Sequence, residues 1–498
     1  MTFEDKLRDE FATVRRETAM GGRPVDSIKA QARRRTRRAR VATGVGASVV
    51  VLGVAVGGLA LLGQQDSGEP LDTVGPAATT IPAPTATTAA TAVAEITEST
   101  VGTATTATAL DTESRPSTGP GAANGALSGA DLSYVGAFMV PAAGTGEPTF
   151  SYGGRAAAYD PDGDLGSDDG FDGSLYITGI AENTFVGEVS VPRPEAHDGS
   201  PEGLPTAQIL QPLADVTGGR GTTFVGGTAQ GGNDDFRIGG LEIVAGPDGR
   251  RLHWTAWQHT NTADNDVAGH GHSSLDLSNP SPQGPWYLAD YLNTNTAGYL
   301  FAVPDDFATS VGLASPALVA GFQAAEDSGS QSDGPPFFGY SPPASAEPGT
   351  RLNAVELASF PPPSRAIAGF DARNVAPGAD WVTASNGRRA IVTAGNAEEL
   401  RSVSCEEVEQ RDPASFGPRL QFFEPDDLAR VAAGDIEPWA VAPYATVDVS
   451  EHLIDTCGMQ LTSLSFDATT GRLYLVQVLA HTGGGFDRLP VVHVFQVS

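Results

Sequence analysis

Cysteine, lysine and positive charge are all scarce in this sequence. Two cysteines in 498 residues exclude a disulfide-dense scaffold and a multi-cysteine zinc module. Lysine occurs at Lys6 and Lys29 and nowhere after Arg40. Thirty Lys+Arg stand against 60 Asp+Glu, a net of −30, which argues against nucleic acid as the main partner. Helix-forming character is also missing, because 60 glycines and 36 prolines cannot sit in a mostly helical or coiled-coil protein. No GxSxG, HExxH, P-loop or dinucleotide fingerprint is found. Long apolar runs are absent too, with one exception.

That exception divides the charge. Residues 1–40 hold 12 basic and 6 acidic residues, a net of +6, which leaves −36 for the remainder. Between them lies Val41 to Gly63, 23 residues without a charge. As a helix this run is about 34 Å long, enough for a bilayer core. Arg33, Arg34, Arg35, Arg37, Arg38 and Arg40 precede it, and QQDSGEP follows. The positive-inside rule then places the N-terminus in the cytoplasm and the C-terminus outside, with the arginines at lipid headgroups. A cleaved signal peptide fits less well, since its charged region would be 40 residues long and its apolar run too long. Gly53 and Gly57 form a GxxxG pair of the kind that brings two membrane helices close.

Four regions follow: a basic cytoplasmic segment (1–40), a transmembrane helix (41–63), a Thr/Ala/Pro-rich stalk (64–130) and a folded domain (131–498). Phe3, Leu7, Phe11 and Val14 give the first segment a short amphipathic helix. The stalk is too poor in apolar side chains to offset its chain entropy. As a coil it spans about 50 Å.

In the folded domain a turn and a β-strand recur. The turn glycines are Gly173, Gly249, Gly387 and Gly471, each followed by an apolar strand. The spacings are 76, 138 and 84 residues, so one divergent copy is expected in the middle gap. Strands precede each turn (GGRAAAYD, GGLEIVAG, ADWVTASN, LTSLSFDA). Third strands ending at proline follow at 186–192, 274–280 and 420–425. A unit of this kind cannot bury both faces alone, so the copies stack into a ring. The expected fold is an all-β propeller of five blades, with six or seven as alternatives. The last copy lacks a fourth strand after 491–498, so strand 132–140 is expected to close the ring. Brief helices are expected only at 304–313 and 422–434.

FSYGGRAAAYDP, GSLYITG, VGEVSVP, RIGGLEIV, GYLFAVPDDF and LQFFEPDDLARVAAGDIEPWAVAPY resemble, in that order, segments of a group of uncharacterised exported bacterial propeller-like proteins. The resemblance spans most of 131–498 and implies fold and location but no activity. The aspartate-rich stretch 160–172 departs from it. Residues 1–63 resemble the cytoplasmic helix, arginine cluster and anchor of actinobacterial membrane proteins, some of them anti-sigma factors. The histidine and CxxC cluster of the zinc-type anti-sigma factors is missing from this segment.

Candidate sites are few. Cys405 and Cys457 are expected to form an extracytoplasmic disulfide, worth at most about 4 kcal/mol by loop closure. Asp160, Asp162 and Asp164 occupy positions 1, 3 and 5 of a calcium loop, with Asp168 beyond them. Leu165 and Phe171 break the EF-hand pattern, and a solvated acidic tip is the alternative. Calcium is therefore the one cofactor expected, with none assured. His270 and His272, near His253, His259, Asp264 and Asp266, form a weaker candidate for a transition metal. Glu188, Glu242 and Asp276 lie on expected strands and are the acids a propeller glycoside hydrolase would bring together. The expected function is binding or sensing of a protein or glycan at the cell surface. The alternatives are a hydrolase of cell-wall polysaccharide and an anti-sigma-like regulator whose residues 1–40 hold a cytoplasmic partner.

Overall fold

The computed structural model describes residues 126–498, apart from 143–147, 167–169, 181–183, 221–235, 247, 259–266, 323–331, 362–373, 397–416, 455–459 and 483–486. The described residues all belong to one compact unit, 110–498. The expected transmembrane run, its arginines and Gly53 and Gly57 lie outside the described residues, as do Cys405, Cys457 and Asp168. Among the described residues no helix is long and apolar enough to cross a membrane.

Five antiparallel sheets make a five-bladed propeller. Blade 1 is β2 (Ala157–Asp160), β3 (Ser174–Thr178), β4 (Phe185–Ser190) and β5 (Ile209–Asp215). Blade 2 is β6 (Phe236–Gly246), β7 (Gly249–Gln258), β8 (His270–Ser273) and β9 (Gln283–Leu288). Blade 3 is β10 (Leu300–Val303), β11 (Ala317–Ala320), β12 (Phe337–Tyr340) and β14 (Val355–Ala358). The short β13 (Arg351–Leu352) leaves blade 3 to pair in parallel with β9. Blade 4 is β15 (Val375–Thr383), β16 (Arg389–Asn396), β17 (Pro418–Phe423) and β18 (Ala445–Asp448). Blade 5 is β19 (Gln460–Asp467), β20 (Arg472–His481) and β21 (Leu489–Val497), completed by β1 (Leu132–Met139). The closure expected from sequence is present: β1 pairs antiparallel with β21 from Leu132↔Val497 to Met139↔Val491.

The four turn glycines mark four of the five inner hairpins. Gly173, Gly249, Gly387 and Gly471 all have positive φ, which glycine adopts without steric cost. The fifth hairpin belongs to the divergent copy. Its β10–β11 connection carries α2 (Asp305–Ser310) in place of a tight turn. The second expected helix is α3 (Pro425–Ala433), opened by proline and ended by Gly434 in the left-handed conformation. One expectation was wrong. Residues 274–280 are a turn segment, and the third strand of blade 2 is β8, just before it. Alternation of Leu275 and Leu277 reads as a strand, but Asp276 folds back to accept from the Ser278 N–H at 3.0 Å and so makes a turn.

The core is layered as the ring demands. Five large apolar clusters lie one between each pair of neighbouring blades, at 1/2, 2/3, 3/4, 4/5 and 5/1. Each blade buries both faces, so its strands read as apolar runs rather than strict alternation. The helix α3 closes the outer side of the 3/4 layer through Leu428 and Val431.

Candidate functional site

The axis comes first, because a hydrolase would use it. Inner strands β2, β6, β10, β15 and β19 approach one another there and leave a cavity of about 10 Å³. Glycine permits the approach: a Cβ on Gly239 would stand 2.1 Å from the Ala297 carbonyl oxygen. Inner strands also present a free edge, whose N–H groups need acceptors. Side chains of neighbouring blades supply them. Ser463 and Ser465 Oγ accept from the Ala157 and Tyr159 N–H, each at 2.9 Å. Asp380 accepts from the Phe466 N–H at 2.6 Å and the Trp381 N–H at 2.6 Å. Glu242 accepts from the Ala302 N–H.

Glu242 and Asp380 are thus brought together from blades 2 and 4. Burial, then the Asp380 charge, pushes the Glu242 carboxyl well above the usual range. Burial pushes Asp380 up to about 7, against the pull of its two N–H donors. The other two expected acids lie elsewhere. Glu188 is buried between blades and accepts from Ser174 Oγ at 2.6 Å and Gln211 Nε2 at 2.5 Å. Asp276 is on the surface turn.

The aspartate loop does not form an oxygen cage among its described residues. Arg250 from blade 2 binds both Asp160 and Asp162, the latter at 2.8 Å. Asp160 also accepts from the Asp162 N–H at 2.8 Å, and Asp172 from the Gly166 N–H at 3.1 Å. A guanidinium therefore holds two of the four expected calcium ligands, and Asp164 contributes its backbone carbonyl to Gly173. His270 and His272 do share a strand and face blade 3, but they take different partners. His270 lies 3.4 Å from both Tyr340 Oη and Thr296 Oγ1. His272 donates from Nε2 to the Ala344 carbonyl at 3.1 Å and lies against His253, ring centroids 5.0 Å apart. Among the described residues no three His, Cys, Asp or Glu side chains make a metal-sized group.

Two constellations were not foreseen. The first gathers where β6 begins and β7 ends. Arg237 and Trp257 are cross-strand partners, and the Arg237 guanidinium sits 5.6 Å from the indole centroid. Arg155, at the start of blade 1, reaches the same indole at 5.7 Å. Below it α1 (Asn293–Thr296) is pinned to β7 by Asn293 Nδ2 donating to the Ala256 carbonyl at 2.9 Å. Gln258 Oε1, Asn293 Oδ1 and Thr294 Oγ1 are buried there without a hydrogen-bond partner among the described residues. Orphan acceptors of this kind each cost about 1–3 kcal/mol unless a ligand or water serves them. The only sequence signal was arginine beside a glycine pair at the start of two inner strands, GGR at 153–155 and RIGG at 237–240.

The second lies at the opposite end of the β6–β7 hairpin, between blades 2 and 3. It is a cavity of about 240 Å³ lined by Arg251, His253, His272, Asp248 and a set of prolines.

No protein-family model matches the chain, and no curated protein matches it. Solved structures are similar to it only distantly. A protein of unknown function from Dyadobacter fermentans has a TM-score of 0.32 at 9% identity, over 74% of this chain and 100% of that one. An alpha-L-arabinofuranosidase from Lactobacillus brevis has a TM-score of 0.36 at 10% identity, over 69% and 91%. One from Fusarium graminearum has a TM-score of 0.28 at 9% identity, over 73% and 98%. Neither the fold nor the site rests on likenesses at this level.

Proposed function

We propose that this chain is a single-pass membrane-anchored propeller that binds a glycan at the cell surface. Binding centres on the end of the ring where Arg155, Arg237 and Trp257 meet. The observation that carries this reading is the trio of orphan acceptors, Gln258 Oε1, Asn293 Oδ1 and Thr294 Oγ1. Acceptors call for donors, and a sugar offers several hydroxyls on one rigid ring. Two guanidinium groups beside them add positive charge. The anchor rests on the apolar run 41–63 and its arginine flank. The test is retention of purified full-length chain on cell-wall preparations and a glycan array. Wild type is expected to bind, and a Gln258→Leu/Thr294→Val double variant to lose at least tenfold in affinity. A blank array, or equal binding by the variant, overturns the reading.

A second reading, a glycoside hydrolase, is favoured by Glu242 and Asp380. Burial pushes both carboxyls upward, a perturbation that acid and base pairs also show. Their capture of backbone N–H groups and the closed axis favour a structural role. Release of chromophore from aryl glycosides, lost in Glu242→Gln, would reverse that judgement. Residues 1–40 carry the proposal of a cytoplasmic partner, and a pulldown with full-length chain tests it.

A further inference from the structure

The cavity between blades 2 and 3 is separate from the glycan site, because the two occupy opposite ends of β6 and β7. Its features form a set. Side chains alternate along β7, so Arg250 and Leu252 face blade 1 while Arg251 and His253 face blade 3. Arg250 is held by two aspartates. Arg251 makes no ion pair or hydrogen bond among the described residues, although the chain after residue 40 carries a net of −36. An unpaired cation at a cavity wall in so acidic a domain is poised for an anion.

The two histidines define the rest of the ligand. His272 donates from Nε2 to the Ala344 carbonyl, so its Nδ1 presents a lone pair. That Nδ1 is buried and has no partner among the described residues, and neither has Nδ1 of His253. A hydroxyl on the ligand would serve them. Pro316 and Pro343 supply flat apolar walls. The volume, about 240 Å³, equals the liquid share of about eight waters, room for one substituted ring. Asp248 also lines the cavity, which disfavours a second negative charge.

We infer that this cavity binds a small monocarboxylate carried on a hydroxylated ring, with Arg251 on the carboxylate and the His253–His272 pair on the hydroxyl. The ring is either aromatic or a sugar acid, and the shared chemistry does not choose between them. Full-length chain is titrated calorimetrically with 4-hydroxybenzoate and with glucuronate, each beside its uncharged analogue, 4-hydroxybenzamide or glucose. At least one acid is expected to bind tenfold or more tightly than its analogue, and the arm that binds identifies the source. Arg251→Gln is expected to remove that preference, and His272→Phe to weaken binding threefold or more. Trp257→Ala is expected to leave it unchanged, which separates this site from the glycan site. The acid-versus-analogue comparison needs no variant, so a misfolded variant does not decide it. Equal affinity for acid and analogue, no binding of either acid, or binding unaffected by Arg251→Gln overturns the assignment.

Discussion

Two histidine clusters in this ring are built in opposite ways. At the closure, every nitrogen that the geometry defines is satisfied. Gln477 grips the Ile454 backbone through both ends of its amide, each bond 2.9 Å, so its Oε1 accepts from His493 Nε2 at 2.9 Å. That leaves His493 Nδ1 to accept from the Tyr134 hydroxyl at 3.1 Å. His197 accepts from the Gly199 N–H on Nδ1 at 3.0 Å, so its Nε2 donates to the Tyr134 oxygen at 2.8 Å. His452 stacks on the Tyr134 ring at 4.7 Å. The network ties β1 to β21 and to two loops. Between blades 2 and 3, by contrast, Nδ1 of both His253 and His272 is buried beside a cavity without a partner among the described residues. A satisfied imidazole stabilises a fold. An unsatisfied one beside open volume is kept for something that arrives.

Four experiments break or sharpen this contrast. The largest effect is expected at the closure. His493→Ala strands the Tyr134 hydroxyl and one Gln477 acceptor position in the interior, a cost of about 2–4 kcal/mol in urea unfolding. A loss below 1 kcal/mol would mean the network adds little to the ring.

Acid comes next. Burial first, then neighbouring His197 and His452, lowers His493 to about 3. Burial first, then His272 and Arg251, lowers His253 to about 3. Burial alone takes His270 to about 3, and His197 and His272 are also lowered. Unfolded histidine titrates near 6.5, so between that pH and about 3 the unfolded chain binds more protons. Stability from these residues is whole above pH 6.5 and falls as the pH drops, by about 1.4 kcal/mol per pH unit for each histidine. His493→Ala should show a shallower slope, and an unchanged slope would assign the acid sensitivity elsewhere.

Adjacent arginines give a smaller test. Arg250→Ala leaves the buried Asp160 without its cation and is expected to cost about 1–3 kcal/mol. Arg251→Ala, with no partner to strand, is expected to stay within about 0.5 kcal/mol. A small effect is also expected at the cavity: His272→Asn should cost no more than about 0.5 kcal/mol, since water can replace it at the Ala344 carbonyl. Equal losses at His272 and His493 would erase the distinction.

The fold was legible where its signals are local. Gly249, Gly387 and Gly471 announce three hairpins because a tight turn needs positive φ there, and Gly173, also at positive φ, ends the longer aspartate-rich loop before β3. Blade 3 was legible only as a gap because α2 interrupts its inner hairpin, and the third strand of blade 2 was misplaced at 274–280 because Leu275 and Leu277 alternate there, whereas it is β8. The sites were scarcely legible. His272 was noticed for its neighbour His270, yet its working companion is His253, across the sheet. Asp160 and Asp162 looked like calcium ligands, and no local pattern announces that Arg250 takes them from the next blade.

The amino-acid sequence by itself determined the division of charge, the all-β repeat and the strand that closes the ring, and it favoured five blades over six or seven. All of these follow from turn chemistry, apolar pattern and the need of each blade for a neighbour. Only the tertiary structure decided which polar groups are spent on the fold and which are left over. Glu242 and Asp380 serve strand edges, His493 serves the closure, and His272 Nδ1, Gln258 Oε1, Asn293 Oδ1 and Thr294 Oγ1 meet no partner among the described residues. That decision depends on partners far apart in sequence that meet only when the ring closes, so no local pattern encodes it.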